Sequence, residues 1–209
     1  MIRVLIVDDH PVVREGIERI ISAHPDMKVT GQAASGHEAM ENVRESSFDV
    51  AVIDISMPEE SGIQVLKKIK SESPQTKVLI LSIYPEEQFA IRCFKAGALG
   101  YLNKDVAPEE LGAAIRQVAE GRRYVTHVMG ERLANELFNA AGKMPHESLS
   151  DREFQVLCDI GRGKTVTEIA RDMSISVKTA STYRARILSK MHMNTSAQLT
   201  AYAIRNELV

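Results

Sequence analysis

Five short apolar runs punctuate the first half of the chain: Ile2 to Val7, Val50 to Ile53 and Val78 to Leu81, with weaker ones at Met27 to Ala33 and Gly100 to Leu102. They have the length of strands and lack polar alternation, the pattern of strands covered on both faces of a parallel sheet. Between them lie stripes with helical spacing: Val13, Ile17, Ile20 and Ile21; Gly62, Val65, Leu66 and Ile69; Leu111, Ala114, Ile115 and Val118. Strand and helix thus alternate five times. Because crossovers between parallel strands are right-handed, the pattern predicts an α/β doubly wound five-stranded parallel sheet in the order 2-1-3-4-5. Function is then expected at the carboxyl ends of the strands.

The pattern changes after Gly121. Residues 122–148 place Gly130, Gly142 and Pro145 around one helical stripe of Met129, Leu133 and Leu137, and read as a partly helical linker. Four short helices are predicted beyond it. Ser150 with Glu153, and Thr165 with Glu168, form two capping boxes, in which each side chain satisfies a backbone amide that a helix start leaves orphaned. The helix carrying Val166, Ile169, Ala170 and Met173 meets the next across only Ser174, Ile175 and Ser176, a helix-turn-helix connection. The expected organisation is an α/β domain at 1–121, a linker at 122–148 and an all-α helix-turn-helix domain at 149–209.

Charge separates the same two parts. The 209 residues carry 26 Lys and Arg against 28 Asp and Glu, a formal net charge of −2. Residues 1–121 hold 13 basic and 19 acidic side chains, whereas 122–209 hold 13 basic and 9 acidic. An acidic front and a basic back imply two different tasks. No apolar run approaches the roughly 18 residues of a membrane span, and the chain opens directly into a strand pattern, so no export signal is expected. Cys93 and Cys158 fall inside apolar helical patterns in different halves, which predicts buried thiols and a reducing cytoplasm.

Polar residues at the strand ends carry the candidate chemistry. Asp8 and Asp9 end strand one, Asp54 ends strand three, Ser82 ends strand four and Lys104 follows strand five. In the predicted order these strands are neighbours about 4.8 Å apart, so the side chains converge on one rim. Three crowded carboxylates repel one another unless one protonates or a hard cation sits among them, and Mg²⁺ is the natural occupant. A metal, a central carboxylate, a hydroxyl and a lysine suit phosphoryl transfer onto Asp54, with the metal and Lys104 neutralising the phosphoryl oxygens and Ser82 donating to the product. His10, beside the acids but followed by Pro11, reads as an ordinary loop residue.

Asp8-Asp9, the Asp54-Ile55-Ser56-Met57-Pro58 turn, Ser82 and Tyr101 three residues before Lys104 together resemble the receiver domain of two-component response regulators. The resemblance implies a phosphoryl group passed from a sensor histidine kinase to Asp54. It implies Mg²⁺ held by Asp9, Asp54 and the Ser56 backbone carbonyl, with Asp8 acting through water. Ser82 and Tyr101 would form a switch pair, the hydroxyl moving toward the phosphoryl group and the ring turning inward. Many receivers carry proline after the lysine; this chain has Asp105. A phospho-aspartate hydrolase is the nearest enzymatic rival, but such enzymes generally need a second acid two residues after the nucleophile, where this chain has Ser56. A regulator whose front domain works without phosphorylation is the other alternative.

No acidic residue occurs between Met173 and Asn206, while Lys178, Arg184, Arg186, Lys190 and Arg205 do. On a helical wheel Val177, Ala180, Ile187, Leu188 and Met191 form one stripe, with Arg184 intruding, and Lys178, Thr179, Thr182, Arg186 and Ser189 face away. Ser181 flanks one edge; Tyr183 and Lys190 flank the other. Cations among short polar groups suit a helix entering the major groove of double-stranded DNA. Leu149 to Glu153, Val156-Leu157, Gly163-Lys164, Glu168 to Ala170, Ser176, Lys178-Thr179 and Lys190-Met191 resemble the LuxR-type helix-turn-helix of NarL/FixJ-type response regulators. Tyr183 stands where many members have histidine. The resemblance implies a homodimer on an inverted repeat, paired through a last helix from Thr195 to Asn206 by residues such as Leu199 and Tyr202. The expectation is a transcriptional regulator, not an enzyme.

Overall fold

The computed structural model describes residues 1–58, 60–105, 108–126, 129–130 and 144–209. The chain forms two compact units, Met1–Asn135 and Glu136–Val209. The first alternates strand and helix: β1 (Ile2–Val7), α1 (Pro11–Ser22), β2 (Met27–Ala33), α2 (Gly36–Glu45), β3 (Val50–Ile53), α3 (Gly62–Glu72), β4 (Lys77–Ser82), α4 (Glu86–Ala96), β5 (Gly100–Asn103) and α5 (Pro108–Ala119). The strands pair in parallel in the order β2-β1-β3-β4-β5. Reversal of the strand order between β1 and β3 opens the crevice at their carboxyl ends that a doubly wound sheet uses for ligands.

Burial follows position in the sheet. Every residue of β3 is buried, as are Val4 to Val7 of β1 and Val78 to Ser82 of β4. β2 departs from the unbroken burial that its apolar residues suggested, because it is an edge strand, and it exposes Lys28, Thr30 and Gln32. One core gathers Val4 and Ile6 of β1, Val50 and Val52 of β3, and Leu79 and Leu81 of β4. The Ile17 and Ile21 stripe of α1 and the Leu111, Ala114, Ile115 and Val118 stripe of α5 pack into it. The other edge is covered by the chain itself: after α5 the Tyr124 amide donates to the Leu99 carbonyl at 2.8 Å, and Tyr124 bridges Gly100. The segment that the sequence suggested as linker therefore begins against the sheet. Met129 is buried, while Leu133, Leu137 and Gly142 of the expected linker stripe lie outside the described residues.

In the second unit a 3-10 turn at Pro145–Ser148 leads into α6 (Asp151–Gly161), α7 (Val166–Asp172), α8 (Val177–Lys190) and α9 (Ser196–Arg205). Both capping boxes form: the Ser150 amide donates to Glu153 Oε2 at 2.8 Å and the Thr165 amide to Glu168 Oε2 at 2.8 Å. A third box, Thr195 with Gln198, starts α9. All four helices end alike, with a left-handed residue at Gly163, Ser174, His192 or Glu207. The amide after it then turns back onto the helix, as Ile175 does onto Ala170 at 2.9 Å. Ser174 in that conformation makes the abrupt turn between α7 and α8. Both cysteines are buried, as expected, and no helix among the described residues is long and apolar enough to cross a membrane.

Candidate functional site

The sheet delivers the acidic pocket as backbone geometry. The Asp54 amide extends the β1–β3 ladder by donating to the Val7 carbonyl at 2.9 Å, and the Lys104 amide extends β4–β5 by donating to the Ser82 carbonyl at 2.8 Å. Asp8, Asp54 and Ser82 are almost wholly inaccessible. Lys104 Nζ lies 2.6 Å from Asp8 Oδ2 and 3.0 Å from Asp54 Oδ2, joining the ends of β1, β3 and β5. The other Asp8 oxygen accepts from the His10 amide at 2.8 Å, and Arg14 donates to the Asp8 carbonyl at 2.7 Å.

Electrostatics follow from this geometry. Burial raises the Asp54 carboxyl above its usual range; Lys104 pulls it back and Asp8 raises it further. Burial lowers the Lys104 ammonium, but the two carboxylates outweigh it and the net shift is upward. The Lys104 ammonium thus bridges the two buried carboxyl groups, which favour its charged form.

The donor set fits a hard divalent cation. Ligand atoms of Asp8, Asp9, His10 and Asp54 all lie within 4.8 Å of one another. Asp54 Oδ1 is buried without a hydrogen bond, as are Asp9 Oδ1 and Ser56 Oγ. His10 Nδ1 approaches Asp9 Oδ1 to 3.0 Å without the alignment of a hydrogen bond. Buried lone pairs normally find partners, so oxygens left open on one rim point to an occupant.

The Ser82 and Tyr101 side chains touch directly, and Tyr84, which sequence reasoning missed, contacts both. The Tyr84 amide donates to Ser82 Oγ at 3.2 Å, while the Tyr101 hydroxyl donates to the Tyr84 carbonyl at 2.8 Å. The Tyr101 ring is buried, and burial drives its phenol well above its usual range. In this structure the ring already stands inward. Gly62, the first residue of α3, was also missed as a site residue: a Cβ there would lie 1.9 Å from the Asp54 carbonyl oxygen. Only glycine lets α3 start directly beneath the Asp54 turn.

The basic helix is α8. Lys178, Ser181, Thr182, Ala185, Arg186 and Ser189 are exposed, whereas Thr179 and Tyr183 are half-buried. Two expectations are corrected, and two cations of α8 find partners. Val177, the first residue of α8, is 49% exposed and lies outside the buried stripe. Lys190 forms an ion pair with Glu153 at 2.6 Å, bracing α8 against α6, with its side chain 42% exposed. Arg184, placed by the wheel in the apolar stripe, donates to Ser196 Oγ at 2.6 Å. Leu199 is wholly buried and Tyr202 contacts His146 Nδ1 through its hydroxyl at 2.8 Å, so neither presents a free pairing surface. The exposed stripe of α9 is Ala197, Ala201 and Ile204.

A five-stranded receiver sheet with an acidic crevice and a helix-turn-helix unit define a class of signalling proteins, and the comparisons agree. Residues 4–116 match the response regulator receiver domain, and residues 147–203 match the bacterial regulatory proteins of the luxR family. The chain belongs to the NarL/FixJ-type two-component response regulators, transcriptional regulators with a receiver and a LuxR-type DNA-binding domain. It is 37% identical over 209 residues to response regulator UvrY of Escherichia coli K12, covering 100% of this chain and 96% of that protein. To response regulator GacA of Pseudomonas aeruginosa it is 36% identical over 210 residues, covering 100% and 98%. Among solved structures it resembles RcsB from Salmonella enterica serovar Typhimurium bound to promoter P1flhDC with phosphomimetic BeF3−. The TM-score is 0.62 at 25% identity, over 96% of this chain and 97% of that one.

Proposed function

We propose that Asp54 accepts a phosphoryl group from the phosphohistidine of a sensor histidine kinase. One Asp54 oxygen attacks phosphorus, the phosphorus–nitrogen bond breaks, and the imidazole leaves. The observation that carries this reading is the Asp54 carboxylate itself, with Oδ2 held by Lys104 at 3.0 Å and Oδ1 buried and unpartnered. Lys104 fixes the carboxylate and offsets charge arriving on the phosphoryl oxygens. Asp9, Asp54 and the Ser56 carbonyl would hold Mg²⁺, with Asp8 acting through water. When bound, the ion neutralises the anionic oxygens that gather during transfer. Ser82 is the hydroxyl that meets the phosphoryl group, and Tyr101 is its inward-standing partner.

The output is sequence-specific binding of double-stranded DNA by α8. Lys178 and Arg186 contact phosphates, and Ser181 and Thr182 lie nearest the base edges; Thr179 and Tyr183 support them. Two copies bind an inverted repeat as a homodimer, pairing through the exposed Ala197, Ala201 and Ile204 stripe of α9. The promoter-bound RcsB structure supports DNA as the partner. The receiver occupies 1–121, the linker 122–148 and the DNA-binding domain 149–209, working in the cytoplasm as a stoichiometric switch and not as an enzyme.

Labelling with a small phosphodonor and Mg²⁺ tests the first step. Wild type should gain one phosphoryl group per chain by intact mass, and Asp54→Asn none. Equal labelling of the variant removes the assignment, and multiple turnover on phosphate esters would instead indicate a hydrolase. Equal DNA affinity with and without label would indicate a phosphorylation-independent regulator.

A further inference from the structure

Between α5 and residue 126 the chain is held against the receiver by Tyr124 and Thr126, which contact β5, α5 and α4. Tyr124 bridges Gly100, its amide donating to the Leu99 carbonyl at 2.8 Å. Its side chain packs against the receiver core, and its Cβ lies 3.1 Å from where a Gly100 Cβ would stand. The Tyr124 hydroxyl donates to Glu110 Oε1 of α5 at 3.0 Å; burial and that carboxylate push the phenol up to about 12. Thr126 Oγ1 donates to Glu86 Oε1, on the first residue of α4. The same Thr126 turns the chain that follows it: its Oγ1 accepts the Met129 amide at 3.3 Å, and its carbonyl accepts the Gly130 amide at 2.9 Å.

Glu86 stands two residues beyond Tyr84, whose amide touches Ser82 and whose carbonyl receives the Tyr101 hydroxyl. A short relay of contacts therefore runs from Ser82 and Tyr101, through the Tyr84-Pro85-Glu86 turn, to Thr126. In this one structure the inward ring and the closed Glu86–Thr126 contact occur together. We infer that Thr126 and Tyr124 are positioning residues that read the state of the Ser82–Tyr101 pair: the inward ring fixes the turn before α4, Glu86 grips Thr126, and the start of the linker is clamped onto β5. Phosphorylation of Asp54 then tightens the clamp. This deepens the proposed function and rests on it only for that last step.

Amide exchange at Tyr124 in the full chain reads the clamp directly, since that amide is held by Leu99. Tyr101→Phe removes the hydroxyl that pins the Tyr84 carbonyl and keeps the ring, and should speed Tyr124 exchange about fivefold, the weight of one hydrogen bond. Glu86→Ala should do the same. The decisive arm is the double variant: it should exchange no faster than Glu86→Ala alone, because both changes break one relay. Unchanged exchange in Tyr101→Phe, or additive effects in the double variant, overturns the inference. Labelled wild type should exchange more slowly at Tyr124 than unlabelled, and unchanged or faster exchange in protein shown by mass to carry the phosphoryl group also overturns it. Absence of any label counts against Asp54 as acceptor, and the variant cycle on unlabelled protein still decides the clamp.

Discussion

At the scale of single residues, charge is placed where the backbone already fixes the geometry. Asp26 shows this away from the pocket: Arg116 donates to it at 2.7 and 3.1 Å and holds its carboxyl down at about 2, against an ordinary value of 3.8. A lowered carboxyl stabilises the fold above its unfolded value, and that contribution fades as pH falls. The stability difference between wild type and Arg116→Ala should therefore persist above pH 3.8 and shrink as pH drops toward about 2, as followed by denaturant unfolding. The pair is half-exposed, so the effect should be modest and smaller in salt. Gly62 makes the opposite point, since there the absence of a side chain matters. Gly62→Ala must displace the Asp54 carbonyl or the start of α3, and should cost about 1–3 kcal/mol in unfolding free energy. Labelling at Asp54 should slow with it, as read by intact mass.

At the scale of elements, helix starts and strand ends were legible because their signals are local. Ser150, Glu153, Thr165 and Glu168 announce α6 and α7, and the apolar runs mark β1, β3 and β4 to within a residue or two. Partnerships between elements were not legible. Lys190 counted as a DNA contact on charge and spacing, yet Glu153, 37 residues earlier, claims it at 2.6 Å. The two cations of α8 should therefore part company experimentally. Arg186→Ala should weaken DNA binding and flatten its salt dependence by roughly one counterion. Lys190→Ala should leave that slope nearly unchanged and lower the stability of the second unit instead, because it abandons a nearly buried carboxylate. Affinity titrations at several salt concentrations, paired with thermal unfolding, separate the two roles.

At the scale of the whole molecule, near-neutrality conceals a division of labour. The acidic excess of residues 1–121 includes the pocket carboxylates, and the basic excess of 122–209 includes the cations of α8. If two copies engage one inverted repeat, the second contact is intramolecular, and labelled protein should bind a duplex with both half-sites at least about tenfold more tightly than one with a single half-site. Equal affinity for the two duplexes would remove the dimer from the account.

The sequence alone determined the alternation of elements, the strand order, the rim on which Asp8, Asp9, Asp54, Ser82 and Lys104 meet, and the helix-turn-helix, because periodicity, capping and right-handed crossovers are properties of short stretches. Tertiary structure decided which side chains are free to act. It tied Lys190 to Glu153, sank Leu199 into its own unit, set the Tyr84 backbone against both Ser82 and Tyr101 and brought Thr126 to Glu86. The contacts among these span either a long stretch of chain or a backbone atom, and neither leaves a mark in the pattern of apolar and polar positions.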